Sequence, residues 1–177
     1  MGVDVGNARV GTALSDPDGI LATPLKTLRR DHKKNSDRRV LRKFAEVNDV
    51  VEIFVGLPKT MGGGESASTV MAKEYAENLR SELDAEGKEH IHIWLVDERL
   101  TTVSAQRSLH EAGVSSRDFK AIVDQAAAVN ILQYCLDTLK SGYAIAGYKL
   151  SSPAYEEAHS EECPLDGKPV NETETLQ

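Results

Sequence analysis

Cysteine is scarce in this 177-residue chain, and histidine pairs at ligand spacing and long apolar runs are absent. Its two cysteines, Cys135 within a helical pattern and Cys163 in a polar stretch, form no CxxC and no spaced ladder. That excludes a disulfide framework and points to a reducing, cytoplasmic setting. The five histidines, His32, His90, His92, His110 and His159, show neither HxxxH nor HExxH spacing, so a zinc site is not expected. His90 and His92 alternate along an apolar segment and read as exposed strand residues. No window reaches the roughly 18 uninterrupted apolar residues of a membrane span, and the N-terminus lacks a basic, then apolar, then small-residue signal pattern. A soluble, unexported protein of one domain plus a modest extension is expected, with no membrane partner.

Charge is present but unevenly placed. The formal net charge is −7, yet residues 151–177 hold seven acids against the single base Lys168. Residues 1–150 are left with 20 bases and 21 acids, close to neutral. The last 27 residues also carry Pro153, Pro164 and Pro169 and show no period of 2 or 3.6. Residues 1–150 therefore read as the domain and residues 151–177 as an acidic, disordered tail.

Within the domain, GVDVG, VGTALSD and ILATPLKTL read as three short strands joined by tight turns, an antiparallel meander. The rhythm then changes. Ser36 is placed to cap a helix with apolar positions Val40, Leu41, Phe44 and Val47, followed by the strand VEIFVGL. A second helix carries Ala72, Ala76, Leu79 and Leu83 on one face, with Gly87 as its stop. The strand from His90 to Asp97 comes next. A third helix capped by Thr101 or Thr102 and closed by Gly113 precedes a last helix that starts near Ser116 or Val123 and ends at Leu139. A meander followed by alternating helices and strands implies a mixed α/β sheet with helices on its faces.

Three carboxylates stand where their surroundings disfavour them. Asp4 lies between Val3 and Val5 in a strand, where an unpaired charge is costly unless it is paired or binds metal. The alternative is a local bond to the turn at Asn7-Ala8-Arg9. Alternation places Ile91, Ile93, Leu95 and Asp97 on one side of the later strand, and His92, Trp94, Val96 and Glu98 on the other. Its two terminal acids thus point apart, one able to enter a site while the other pairs with a neighbour such as Arg99. Asp124 begins a helical face continued by the apolar Ala127, Ala128, Ile131 and Cys135, although a carboxylate near a helix N-terminus also has the dipole to favour it. Converging carboxylates repel unless cations sit between them, and an all-oxygen donor set selects Mg²⁺ or Mn²⁺. Two such ions can activate water and stabilise the leaving oxygen in phosphodiester hydrolysis.

The segments GVDVGNARVGTALSD, VGLPKTMGG, DERLTTVSAQ and VDQAAAVNIL, in this order and spacing, resemble the YqgF/RuvX family. The resemblance covers residues 1–140. It implies an RNase H-like fold with a mixed five-stranded sheet and a nuclease activity directed at the 5′ end of pre-16S rRNA or at Holliday junctions. It further implies that Asp4, Glu98 and Asp124 are the catalytic and metal-binding acids, and that Arg9, Lys59, Arg99, Thr101 and Thr102 are phosphate contacts. The role of Asp97 is left open. Members of that family carry several residues before the first strand, so here either that strand is short or the chain begins further upstream.

The stretch LRRDHKKNSDRRVLRK adds eight bases against two acids. Arg29, Arg30, Lys33, Lys34, Arg38 and Arg39 are accordingly expected on a surface that neutralises phosphates and binds RNA or branched DNA in a salt-sensitive way. Aromatics are not interleaved with these bases, which argues against recognition by base stacking. A homodimer is the expected assembly for a junction resolvase, and a ribosomal precursor particle the expected partner for an rRNA nuclease. Two other readings compete: an actin-like ATPase, for which the chain lacks a second phosphate loop and the GK[ST] of a P-loop, and a non-catalytic nucleic-acid-binding module, against which the presence of all three acids argues.

Overall fold

The computed structural model describes residues 1–59, 64–98 and 119–152, the side chains of 119–124 excepted. The meander forms as expected: β1 (Gly2–Val5), β2 (Arg9–Ser15) and β3 (Ala22–Arg29) pair antiparallel, with Gly6 donating its amide to the Arg9 carbonyl across the first turn. After α1 (Ser36–Val47), β4 (Glu52–Leu57) lies parallel to β1. After α2 (Ala67–Ala85), β5 (His92–Asp97) lies parallel to β4. The last helix, α3, spans Phe119–Lys140. A sixth strand beyond the five expected, β6 (Gly147–Lys149), closes the edge antiparallel to β5, giving the order β3-β2-β1-β4-β5-β6. The expected third helix, with Thr101, Thr102 and Gly113, and the expected acidic tail beyond Ser152 lie outside the described residues.

Strand alternation divides the core into two layers. Val3, Val5, Ile53, Val55, Ile93 and Leu95 face α1 and α2, where Leu41, Ala76, Leu79 and Leu83 meet them. On the other side Ala13, Phe54 and Val96 face α3, which contributes Ala128, Ile131, Leu132 and Cys135. The buried face of α3 thus runs through Leu132 as well as Ala128, Ile131 and Cys135, whereas Ala127 is only half-buried.

α2 follows its sequence pattern. Ser66 accepts the Thr69 amide and donates its own amide to the Thr69 hydroxyl, which completes a reciprocal cap, and Gly87 takes the left-handed conformation after the last turn. α1 does not follow its pattern. Ser36 caps nothing; its hydroxyl donates to Asp31 at 2.7 Å, and the cap position is the left-handed Asn35. Val40 and Val47 are exposed, while Asp37 and Arg38 are buried beside Leu41 and Ala45. The helix is turned about its axis because α2 presents groups that satisfy charge: Arg38 donates to Glu82 at 2.8 Å, Arg42 pairs with Glu82 and Glu86, and Tyr75 offers its ring to Arg30 and Arg38.

The sheet accepts α3 at close range because Gly2 has no side chain. A Cβ at Gly2 would run into the Ala128 carbonyl and come within 2.8 Å of the Leu132 Cβ. Gly2→Ala is therefore expected to lower stability by about 1–3 kcal/mol through overpacking, measured by urea unfolding. An unchanged midpoint would mean that α3 can lift from β1 without cost.

Candidate nuclease site

β1, β4 and β5 are parallel, so their C-terminal ends share one end of the sheet, and the acids gather there. Val3 and Val5 belong to the core facing α1 and α2, which turns Asp4 to the α3 side of the sheet. Glu98 follows β5 on that same side, beyond Trp94 and Val96. Asp97 points the other way, into the α1 and α2 side, as the strand alternation requires.

Gly56 makes the room that Glu98 occupies. A Cβ on Gly56 would collide with the Glu98 carboxylate oxygen and lie 3.0 Å from its Cδ, with the Ile131 side chain crowding the same spot. The parallel register pairs Gly56 with Val96, and continuing the β1 offset by one residue sets Asp4 alongside Gly56 on its other flank. Two acids from separate strands thus border one glycine. Gly56 was missed as a functional position in the sequence, although a lone glycine inside an apolar strand signals a close approach.

The electrostatics of this arrangement are unfavourable without a cation. Burial, then the charge of Asp4, then that of Asp97, push the Glu98 carboxyl up to about 7. Asp97 is itself compensated, since Lys59 brings its ammonium to 3.4 Å. Lys59, expected to touch phosphate, stands at the end of β4 as a counterion of Asp97. Asp124 lies in α3 one turn before Ala128, whose carbonyl abuts Gly2, so the helix directs the Asp124 position to the same end and side of the sheet as Asp4 and Glu98. Its side chain lies outside the described residues, as do Arg99, Thr101 and Thr102. Hard carboxylate oxygens under mutual repulsion are a donor chemistry that fits a divalent metal ion.

The expected basic surface separates into two groups. Arg30 is turned inward, with 9% of its side chain exposed, its guanidinium 4.6 Å above the Tyr75 ring and its Nε 3.6 Å from Asp37. Arg38 is buried against Glu82. Both serve the α1 and α2 packing and do not belong to an open phosphate-binding surface, because each is engaged by a carboxylate and an aromatic ring. Arg29, Lys33, Lys34 and Arg39 remain exposed. Arg9 stands opposite Arg29 across the β2–β3 pair, at the end of the sheet where β1 terminates near Asp4.

Asp31 shapes the turn that carries the lysines. Its carboxylate accepts the Ser36 hydroxyl and the amides of Lys34 and Lys33 at 2.7, 3.0 and 3.2 Å, bonds that hold its carboxyl down at about 2. His32 is tied to the Asn7 carbonyl at 3.0 Å. The lysine-bearing turn is thereby anchored to the β1–β2 turn, and a basic rim borders the acidic centre.

The model of the RuvX family, described as Holliday junction resolvase, matches residues 1–138. A Mycolicibacterium smegmatis protein named "Putative pre-16S rRNA nuclease" is 49% identical over 146 residues, covering 81% of this chain and 83% of its own. A Frankia casuarinae protein of the same name is 42% identical over 167 residues, covering 94% and 80%. Among solved structures, T. thermophilus RuvC in complex with Holliday junction substrate aligns over 84% of this chain and 98% of its own, at 12% identity and a TM-score of 0.46. The matched span takes in Asp4, Gly56, Glu98 and Asp124 together, and the chain belongs to the RuvX family of Holliday junction resolvases.

Proposed function

We propose that this protein is a metal-dependent nuclease that trims the 5′ end of pre-16S rRNA in the cytoplasm, on a ribosomal precursor particle. The observation that carries the chemistry is the meeting of Asp4 and Glu98 beside Gly56, where burial and neighbouring charge hold a carboxyl at about 7. The RNA assignment rests on the name shared by relatives 42–49% identical to this chain.

Asp4, Glu98 and Asp124 would hold Mg²⁺ or Mn²⁺, as two ions, which supply an activated water and stabilise the leaving oxygen. The chain's own contribution is placement. Gly56 leaves the volume for the Glu98 carboxylate, Lys59 confines Asp97, and Arg9, Arg29, Lys33, Lys34 and Arg39 draw the phosphate backbone to the acids. Such contacts are blind to sequence, so the substrate is chosen by shape and by the particle that presents it.

Cleavage of two labelled substrates, an rRNA-precursor leader and a four-way DNA junction, tests the assignment. Metal-dependent cutting of the leader, reduced at least ~1000-fold by Asp4→Asn or Glu98→Gln, is expected, in line with removal of a group that stabilises transition-state charge. Preferential cutting of the junction, with a dimer in solution, would transfer the activity to branched DNA. No cutting of either by the folded wild type would leave a binding module.

The metal-free chain has a pH signature. Between pH 4.5 and about 7 folded Glu98 retains a proton that the unfolded chain has released, so stability falls as pH rises through that window. Glu98→Gln should flatten this slope in thermal unfolding with EDTA present, and added Mn²⁺ should restore wild-type stability most strongly above pH 7. A slope identical in both proteins would place Glu98 outside the repulsive cluster.

The two groups of bases should separate in experiment. Lys33→Ala with Lys34→Ala is expected to weaken RNA binding and reduce its salt dependence by about two phosphate contacts, with stability unchanged within about 0.5 kcal/mol. Arg30→Ala should instead cost about 3–5 kcal/mol by leaving Asp37 buried without its partner. Filter binding at several salt concentrations together with urea unfolding reads both effects.

A further inference from the structure

At the opposite end of the sheet, where β1, β4 and β5 begin, lies an open groove of about 630 Å³. Leu14, Val51, Leu136 and Leu139 supply its apolar walls, and Val51 and Leu139 remain 62% and 47% exposed. Three carboxylates, Asp16, Asp49 and Glu52, line it as well, and among its described lining residues there is no lysine or arginine. The Met1 amino group, which also lines it, donates to the Glu52 carbonyl at 2.7 Å and is pushed down to about 5 by burial, so it adds little positive charge at neutral pH. The amides of Leu21 and Ile20, donated to the Asp16 carboxylate at 3.1 and 2.7 Å, lower its pKa below the usual carboxylate value. Lys88, beyond Asp49, is already engaged by Glu86 at 3.0 Å and Glu46 at 3.5 Å. His92 stands 3.8 Å from Glu52, but burial and Lys149 lower its pKa, so it adds little positive charge at neutral pH.

We propose that this groove is a docking site for a basic polypeptide segment of another protein, whose apolar side chains fill the walls between Val51 and Leu139 while its lysines or arginines meet Asp16, Asp49 and Glu52. The charge pattern selects this occupant. Nucleic acid is repelled by the three carboxylates, and the chain's own residues 151–177, with seven acids and one base, are repelled for the same reason. A second copy related by a two-fold axis would set the same acids against themselves. A cationic partner gains from burying the leucine walls and from the carboxylates together.

Position makes such docking compatible with catalysis. β4 runs from Glu52 in the groove to Leu57 beside Asp97, a rise of roughly 17 Å, so a segment seated in the groove leaves the Asp4 and Glu98 end open. The groove would fix the nuclease to a protein component of its substrate particle or to another basic partner without occupying the site of cleavage. The docking itself does not depend on the proposed RNA substrate.

Two synthetic peptides of 12 residues test this, with leucines at the same positions and lysine at every charged position of one, glutamate in the other. The ¹⁵N-labelled full chain is titrated with each, and amide shifts are followed in wild type and in Val51→Lys with Leu139→Lys, both exposed positions. The lysine peptide is expected to shift amides around Val51, Glu52 and Leu139, at least tenfold more tightly for wild type than for the double variant, and the variant should cleave nucleic acid as wild type does. The glutamate peptide should leave the groove unperturbed. Equal binding of the two peptides, shifts confined to the Asp4 and Glu98 end, or wild-type affinity in the folded double variant would each overturn the proposal. Concentration-dependent broadening at the groove without peptide would overturn it in favour of a second copy.

Discussion

The close seating of α3 on the sheet governs the rest of this molecule. Gly2 lets the Ala128 carbonyl approach β1, and Gly56 opens a space shared by Ile131 and the Glu98 carboxylate. The same contact that buries Ala128, Ile131, Leu132 and Cys135 therefore sets the distance between the helix carrying Asp124 and the strands carrying Asp4 and Glu98. Packing and site geometry have a common origin. A larger residue at either glycine would push the helix or the carboxylate away, and the electrostatic arrangement would change with the fit.

That arrangement is costly by design of the topology. Parallel β1, β4 and β5 bring their C-terminal ends together, and Asp4, Asp97 and Glu98 arrive there with like charge. Asp97 is relieved by Lys59, whereas burial first, and then the charges of Asp4 and Asp97, raise the Glu98 pKa. On the α1 and α2 side, charge is treated differently. Arg30, Asp37, Arg38, Arg42 and Glu82 are matched with one another and with the Tyr75 ring, so they stabilise helix packing and contribute little to an outer field.

The two ends of the sheet consequently differ in electrostatic character. One has carboxylates at its centre and exposed bases at its rim, the arrangement on which the proposed nuclease function rests. The other has apolar walls and carboxylates with no lysine or arginine among the described lining residues, suited to a cationic polypeptide. A chain whose body is nearly neutral by count is thus far from neutral at either end.

Much of this was legible in the residues. Alternation in β5 determined that Asp97 and Glu98 point to opposite sides, because a strand has a period of two whatever surrounds it. The small and apolar face of α2 and its Gly87 stop followed from local geometry in the same way, whereas its Ser66 cap was seen only in the structure. The isolated acid of GVDVG marked Asp4 as a residue that some other part of the chain must compensate. The rotation of α1 was not legible, since the bases of LRRDHKKNSDRRVLRK look alike in sequence, and only the opposing Tyr75 and Glu82 decide that Arg30 and Arg38 turn inward while Lys33 and Lys34 remain outside. The sixth strand, the Lys59 to Asp97 pair and the space at Gly56 are likewise products of tertiary contact. Local periodicity is carried by consecutive residues, whereas the partner of a charge and the volume beside a glycine are set by groups tens of residues away.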